Sequence, residues 1–277
     1  MRKSGILLLA LVFAVSLTAQ DWAKARLAKS PRHSELVAVK NGDRTVHAFI
    51  VFPEVKTKAT AVLVIHENVG LTDWVQGVAD QLAEQGYIAI APDLLSGMGP
   101  NGGRTPDIPP DKIRDAFAQL AKTPDQVTSD LNAVADYVTK LPAANGKLAV
   151  AGFCWGGGQT FRFATNRPNL AAGFSFYGPP PEAPEDIARI KAKVYGFYGE
   201  NDARINAMIP KATEQMKAAG KVYEPVIYPG AGHGFMRAGE APPPAEDAKQ
   251  QQKDGYEANK KAREEGWKRM LGVLKGI

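Results

Sequence analysis

The sequence predicts an α/β domain built on a mostly parallel central sheet flanked by helices, with an N-terminal hairpin and a long C-terminal helix. Three observations predict it. Near-continuous apolar runs such as Ala59–Ile65 and Tyr87–Ala91 have the composition of strands buried on both faces. These runs alternate with stretches of helical periodicity. Residues able to do chemistry recur just past the carboxyl ends of the runs, where doubly wound sheets collect their reactive groups.

The elements follow in chain order. Residues 21–33 form a polar leader, expected to pack loosely on the surface. Leu36–Lys40 and Val46–Phe52 flank Asn41-Gly42-Asp43 and predict a hairpin with an Asn-Gly turn. After the Ala59–Ile65 strand, Trp74, Val78 and Leu82 recur at four-residue spacing and predict a helix from about Asp73, with Gly86 as its stop. Tyr87–Ala91 is the next buried strand, and residues 96–110, rich in Gly and Pro, form a loop. Helices are predicted over 111–122 and 125–140, the second with Val127, Leu131, Val134 and Val138 as its apolar stripe. A strand from Leu148, a helix, a strand over 170–177 and a Pro-rich loop over 178–186 come next. The strand Val194–Tyr198, a helix over 206–219 and the strand Val222–Tyr228 complete the alternation. Residues 244–275 are highly charged and predict one long or broken helix whose charges form a solvated face. No repeat or linker divides residues 21–277, so one domain is expected.

Composition narrows the function classes. With 44% apolar and 23% charged residues in 277, the balance is that of a globular chain. Residues 1–20 read as an export signal, with Arg2 and Lys3 at its start, an apolar core from Ile6 to Leu17, and cleavage near Ala19 or Gln20. The apolar core is short for a membrane span, and no Cys lies there to carry a lipid. Without that segment the chain has 32 basic and 29 acidic residues, a net charge of +3, and no basic stripe with interleaved aromatics. That argues against nucleic acid as a partner. Cys154 is the only cysteine, so no internal disulfide can form. An unpaired thiol in an oxidising compartment is a liability unless it is buried or used.

Cys154 lies in Gly152-Phe153-Cys154-Trp155-Gly156, at the end of an apolar run and the start of a helical stretch. This is the G-x-nucleophile-x-G pattern of a strand that turns sharply into a helix, with the central residue strained and its side chain exposed. Bulky residues two positions away on either side would collide. A buried structural Cys beside packing glycines is the alternative. Glu67, Asp202 and His233 also fall just past strand ends, and nucleophile, acid, His is a known order for a hydrolytic triad. A thiol attacking a carbonyl needs a base, and the base needs a carboxylate to hold its tautomer. Of four histidines, His33 lies in the leader, His47 inside a hairpin strand, and His66 at the end of a buried strand. His233, in Gly230-Ala231-Gly232-His233-Gly234, is left as the base, with an exposed loop histidine as the alternative. Asp202 could instead cap a helix.

These segments resemble the dienelactone hydrolase family (carboxymethylenebutenolidases) of α/β hydrolases from about Ala59 through Phe235. The motifs are Val64–Leu71, Ala91–Leu94, Gly152–Gly157, Gly199–Asp202 and Gly230–Phe235. The resemblance implies an α/β-hydrolase fold with Cys154 as nucleophile, His233 as base and Asp202 as its orienting acid. It also implies that Glu67 contacts the resting thiol until substrate displaces it; a loop-fixing salt bridge is the structural alternative. The backbone N–H groups of Trp155 and Asn68 would form the oxyanion hole. Arg237 matches one of two family arginines that hold a substrate carboxylate. The other is missing, its place taken by Leu95-Ser96-Gly97, with Arg104 nearby. The expected partner is a small ester or lactone, acidic if Arg237 binds it. No metal or organic cofactor is implied, and His66-Glu67 lacks the second His of a zincin helix. A thioesterase, a peptidase without its propeller or cap, and a silent ligand-binding scaffold are the other readings.

Overall fold

A computed structural model describes residues 22–238 and 243–277, so the predicted export segment lies outside the described residues. The strands are β1 (Ser34–Asn41), β2 (Arg44–Val51), β3 (Ala59–Ile65), β4 (Ile88–Pro92), β5 (Ala144–Phe153), β6 (Ala172–Phe176), β7 (Lys193–Gly199) and β8 (Tyr223–Tyr228). They form one sheet in the order β1-β2-β4-β3-β5-β6-β7-β8. The β1–β2 and β2–β4 pairs are antiparallel, and every pair from β4–β3 to β7–β8 is parallel. Chain order reverses beside β3, with β4 on one flank and β5 on the other. That is the switch point where open α/β sheets leave a crevice at their carboxyl ends.

The helices are α1 (residues 22–29), α2 (Asp73–Glu84), α3 (Ile113–Leu120), α4 (Pro124–Thr139), α5 (Trp155–Asn166), α6 (Pro184–Arg189), α7 (Ala203–Asn206), α8 (Ile209–Ala218) and α9 (Gln250–Leu274). Along β3, Leu63 and Ile65 face one core layer while Val62 and Val64 face the other. The first layer is closed by α3 through α8, with Leu131, Val134 and Val138 of α4 at its centre. The second is closed by α1, α2 and α9, through Ala23, Trp74, Val78, Leu82 and Met270. Both faces are covered, which is why the strands read as unbroken apolar runs. Each fully buried Leu, Ile or Val contributes roughly 1.5–3 kcal/mol from leaving water.

Several boundaries differ from expectation. In the hairpin, Asn41 pairs with Arg44, so the central turn residues are Gly42 and Asp43, with Gly42 at φ 59°. The Pro-rich loop runs into α6, and the predicted 206–219 helix is α8, preceded by the separate short α7. The C-terminal helix α9 is continuous, and part of its charge faces inward. Arg269 donates to the Gly196 and Glu224 carbonyls, and Arg263 to the Gln81 side chain. The largest correction is the leader. It forms α1, whose Ala23 is fully buried against Gly77 of α2. Asp80, on α2 and only 1% exposed, explains the docking. It accepts hydrogen bonds from Arg26, Arg32 and the Ser30 hydroxyl. A buried carboxylate needs such partners, and here the leader supplies them all.

Burial works against the Asp80 charge, but Arg32, Ser30 and Arg26 outweigh it and hold its pKa below the usual carboxylate value. A depressed folded-state pKa means a contribution that is present above the unfolded pKa and lost as pH falls through the folded one. Asp80→Ala should therefore cost about 1–3 kcal/mol at neutral pH and open residues 22–33 to protease. The same cleavage should appear in wild type in acid. A urea midpoint unchanged by the substitution would show that the leader is not coupled to the core.

Candidate active site

At the end of β5 the chain turns through Cys154, whose φ of 55° and ψ of −118° lie outside the regions open to ordinary residues. The turn is enforced by close backbone contacts. A Cβ on Gly152 would lie 2.0 Å from the Gly156 carbonyl oxygen, and one on Gly156 would lie 2.4 Å from the Ile65 oxygen. Cys154 N–H donates to the Phe176 carbonyl at 3.0 Å, and Gly157 N–H donates to the Cys154 carbonyl at 3.0 Å. The first turn of α5 is thus pressed against the ends of β3, β5 and β6. The collision anticipated from the glycine pattern is the one observed. Cys154 is a free, half-buried thiol at the N-terminus of α5, where the helix dipole favours negative charge.

The loops after β7 and β8 are laced together, which brings an acid to a base. Asn201 N–H donates to Ala231 O, the Asn201 side chain to Gly230 O, and Gly230 N–H to the Glu200 carboxylate. From α9, Asn259 accepts the Gly232 N–H. Within this frame His233 Nδ1 donates to Asp202 Oδ2 at 2.5 Å. Asp202 occupies the N-cap position of α7, but its side chain makes no capping bond. Burial by itself would lower the His233 pKa. The Asp202 hydrogen bond, together with the influence of the neighbouring Cys154 and the Asp202 charge, outweighs it and raises the imidazole to about 9. Cys154, His233 and Asp202 are therefore brought into one cluster.

Glu67, only 4% exposed, forms an ion pair with Arg237, whose Nε lies 2.8 Å from Oε2. Burial pushes the Glu67 carboxyl up, and Arg237 and His233 pull it back without cancelling the shift. Arg237 stands on the turn Phe235–Ala238 and is thus engaged by Glu67 rather than free. The neighbouring His66 is fully buried. Its Nδ1 donates to the Glu67 carbonyl at 2.6 Å, and its Nε2 accepts from Leu94 N–H. Both nitrogens are occupied and burial lowers its pKa, so His66 ties β3 to the loop after β4 and is no base.

Trp155 is the first residue of α5, so its N–H is among those a helix leaves unpaired. Its indole stacks on His66 and meets Phe117 edge-on at 5.1 Å. Asn68 is exposed in the loop after β3. Leu95 and Ser96 are fully buried, with the Ser96 hydroxyl donating to Asp93 O, and the guanidinium beside this segment, that of Arg44, donates to the Leu94 carbonyl and pairs with Asp130. Arg104 is partly exposed on the Gly-rich loop. That loop is pinned by Thr105, which bonds Asp93 and accepts Leu71 N–H. Sequence reasoning missed Tyr177, at φ 42° directly after β6 and fully buried beside His233. The Tyr177-Gly178-Pro179 break was its only sequence signal. Among the described residues no group of His, Cys, Asp and Glu is placed to hold a metal ion.

The sequence profile of the dienelactone hydrolase family matches residues 46–277. The chain belongs to that family. A protein from Methylorubrum extorquens named "Putative carboxymethylenebutenolidase" is 33% identical over 212 residues, covering 72% of this chain and 71% of its own. A second of that name, from Saccharolobus solfataricus, is 30% identical, covering 84% of this chain and 94% of its own. Among solved structures, the dienelactone hydrolase-like promiscuous phosphotriesterase P91 from metagenomic libraries superposes with a TM-score of 0.71 at 21% identity. It covers 89% of this chain and 98% of that one, a likeness of fold. Membership makes the protein a hydrolase with the α/β-hydrolase fold.

The glycines of the elbow give a graded test. Gly156→Ala should abolish folding or cost several kcal/mol, because its Cβ meets backbone that cannot yield. Gly272→Ala, with nothing within 4 Å in α9, should stabilise by about 0.5–1 kcal/mol. Thermal midpoints of the two variants check this, and equal effects would contradict the close-approach account.

Proposed function

We propose that this hydrolase opens a small carboxylic ester or lactone by acyl transfer to Cys154. The observation that carries the reading is the 2.5 Å His233–Asp202 hydrogen bond beside a cysteine held at a strained strand-to-helix turn. His233, whose raised pKa lets it hold the proton that leaves the sulfur, faces a thiolate Sγ, and that Sγ attacks the ester carbonyl carbon. Asp202 fixes the imidazole tautomer and stabilises its charged form. The oxyanion of the tetrahedral intermediate is held by the N–H groups of Trp155 and Asn68, donors fixed before the charge appears. Collapse expels the alkoxide, which takes the proton from His233 and leaves a thioester on Cys154. Water, deprotonated by His233, then attacks that thioester and releases the acid.

Glu67 and Arg237 bear on substrate charge. Glu67 binds Arg237 through Nε, so a substrate carboxylate that takes that edge of the guanidinium would displace Glu67. Acidic esters are the substrates that would use this exchange, and neutral aryl esters would not need it. The names of the curated relatives also favour a lactone of the carboxymethylenebutenolide type. Residues 1–20 support export, and the mature protein would carry its lone thiol in an oxidising compartment.

Cys154→Ala and His233→Ala should each lower hydrolysis of aryl esters and small lactones by about 10³-fold or more, with Asp202→Asn also strongly impaired. His33→Ala and His47→Ala should stay near wild type. Arg237→Ala should raise KM mainly for acidic substrates. Steady-state kinetics on purified variants check this, and full activity in His233→Ala would reassign the base.

A further inference from the structure

Tyr177 combines three features that its packing alone does not require. Its backbone sits at φ 42°, in the left-handed region that a bulky aromatic residue rarely enters. The residue is fully buried, yet its Oη has no hydrogen-bond partner among the described residues. A buried hydroxyl without a partner is destabilising, and native structures seldom keep one without a use.

The surroundings say where that hydroxyl is aimed. The ring is packed against Phe153, Phe235 and His233, the last with centroids 5.0 Å apart. Its backbone is pinned on both sides. Tyr177 N–H donates to the Phe197 carbonyl at 2.7 Å, and the following Gly178 lies so close to α5 that a Cβ would fall 2.3 Å from Gly157. Glu67, Arg237 and Cys154 all act electrostatically on the phenol. Arg237 is close enough to act on the oxygen by its charge and as a weak donor, but the contact falls short of full hydrogen-bonding geometry. Burial, and next the Glu67 charge, push the phenol well above its ordinary pKa, so it stays protonated and is a donor.

We propose that Tyr177 is a substrate-contacting residue whose phenol hydroxyl donates a hydrogen bond to an oxygen of the bound ester beside Cys154 and Arg237. The strained backbone places the donor there in advance, and the acceptor arrives only with substrate. Phenol and guanidinium then present two donors to the same oxygen-bearing side of the substrate. This inference rests on the ester-hydrolase reading.

Tyr177→Phe tests it, because the ring and its packing are kept and only the hydroxyl is lost. Three measurements are made on the full-length protein, with Cys154→Ala alongside. The thermal midpoint of Tyr177→Phe should equal or exceed that of wild type, since no resting partner is lost. Iodoacetamide labelling of Cys154 should proceed within about two-fold of the wild-type rate. Hydrolysis of an aryl ester and a small lactone should fall at least ten-fold in kcat/KM. A lower midpoint would show a structural partner for the hydroxyl and overturn the proposal. Slower labelling would show that it serves the resting thiol instead, and unchanged kcat/KM would show that it does not meet the substrate. Full activity in Cys154→Ala would sink the hydrolytic reading rather than the role of Tyr177, and the midpoint needs no turnover.

Discussion

The close approach of α5 to the strand ends holds the site together. Three chain segments meet at Gly152, Gly156 and Gly157, where added methyl groups would fall 2.0–2.8 Å from backbone atoms of β3, α5 and the turn after β6. Cys154 is strained because Gly152 and Gly156, two positions away on either side, have no side chains and the helix can therefore press inward. The Phe176 carbonyl that receives Cys154 N–H is one residue before Tyr177, so strain at the elbow and strain after β6 belong to the same contact. The sheet's wide apolar burial is what lets two such residues persist in one small region.

The electrostatics follow from where the loops deliver charge. Two carboxylates, Glu67 and Asp202, are buried at the carboxyl end of the sheet, and each meets a different base: Arg237 and His233. Asp202 has a firm hydrogen-bonded frame, because the loops after β7 and β8 and Asn259 of α9 fix the residues around it. Glu67 has one strong partner, and burial keeps its carboxyl pKa high. Of the two pairs, the Glu67–Arg237 pair is the one a charged ligand could exchange.

Much of this was legible in the sequence. Strands covered on both faces leave apolar runs, so the centre of the sheet could be read from Ala59–Ile65 or Val194–Tyr198 alone. Backbone proximity leaves glycines, and these marked the elbow and the His233 loop. What stayed hidden was set by tertiary partners. The leader looked loose because its docking depends on Asp80, which in sequence is one more acid on an amphipathic helix. Asn259 and Arg269 looked like solvated charge and polarity, since their partners lie in loops and strands far away along the chain. Tyr177 looked like the last residue of an apolar strand, and neither its φ nor its orphaned hydroxyl has a sequence signature. His66, by contrast, reads from the sequence as the end of a buried strand, and both of its ring nitrogens are hydrogen-bonded there.

The central claim is that chemistry passes through the sulfur of Cys154, and trapping the intermediate tests it most directly. Protein mixed with an aryl acetate, quenched in acid within the first turnovers and digested, should show an acetyl group on the peptide carrying Cys154. The adduct should be removed by neutral hydroxylamine, as a thioester is, and should accumulate when deacylation is slowed. Continued ester hydrolysis with an acetyl group on another residue, or undiminished hydrolysis in Cys154→Ala, would contradict the account.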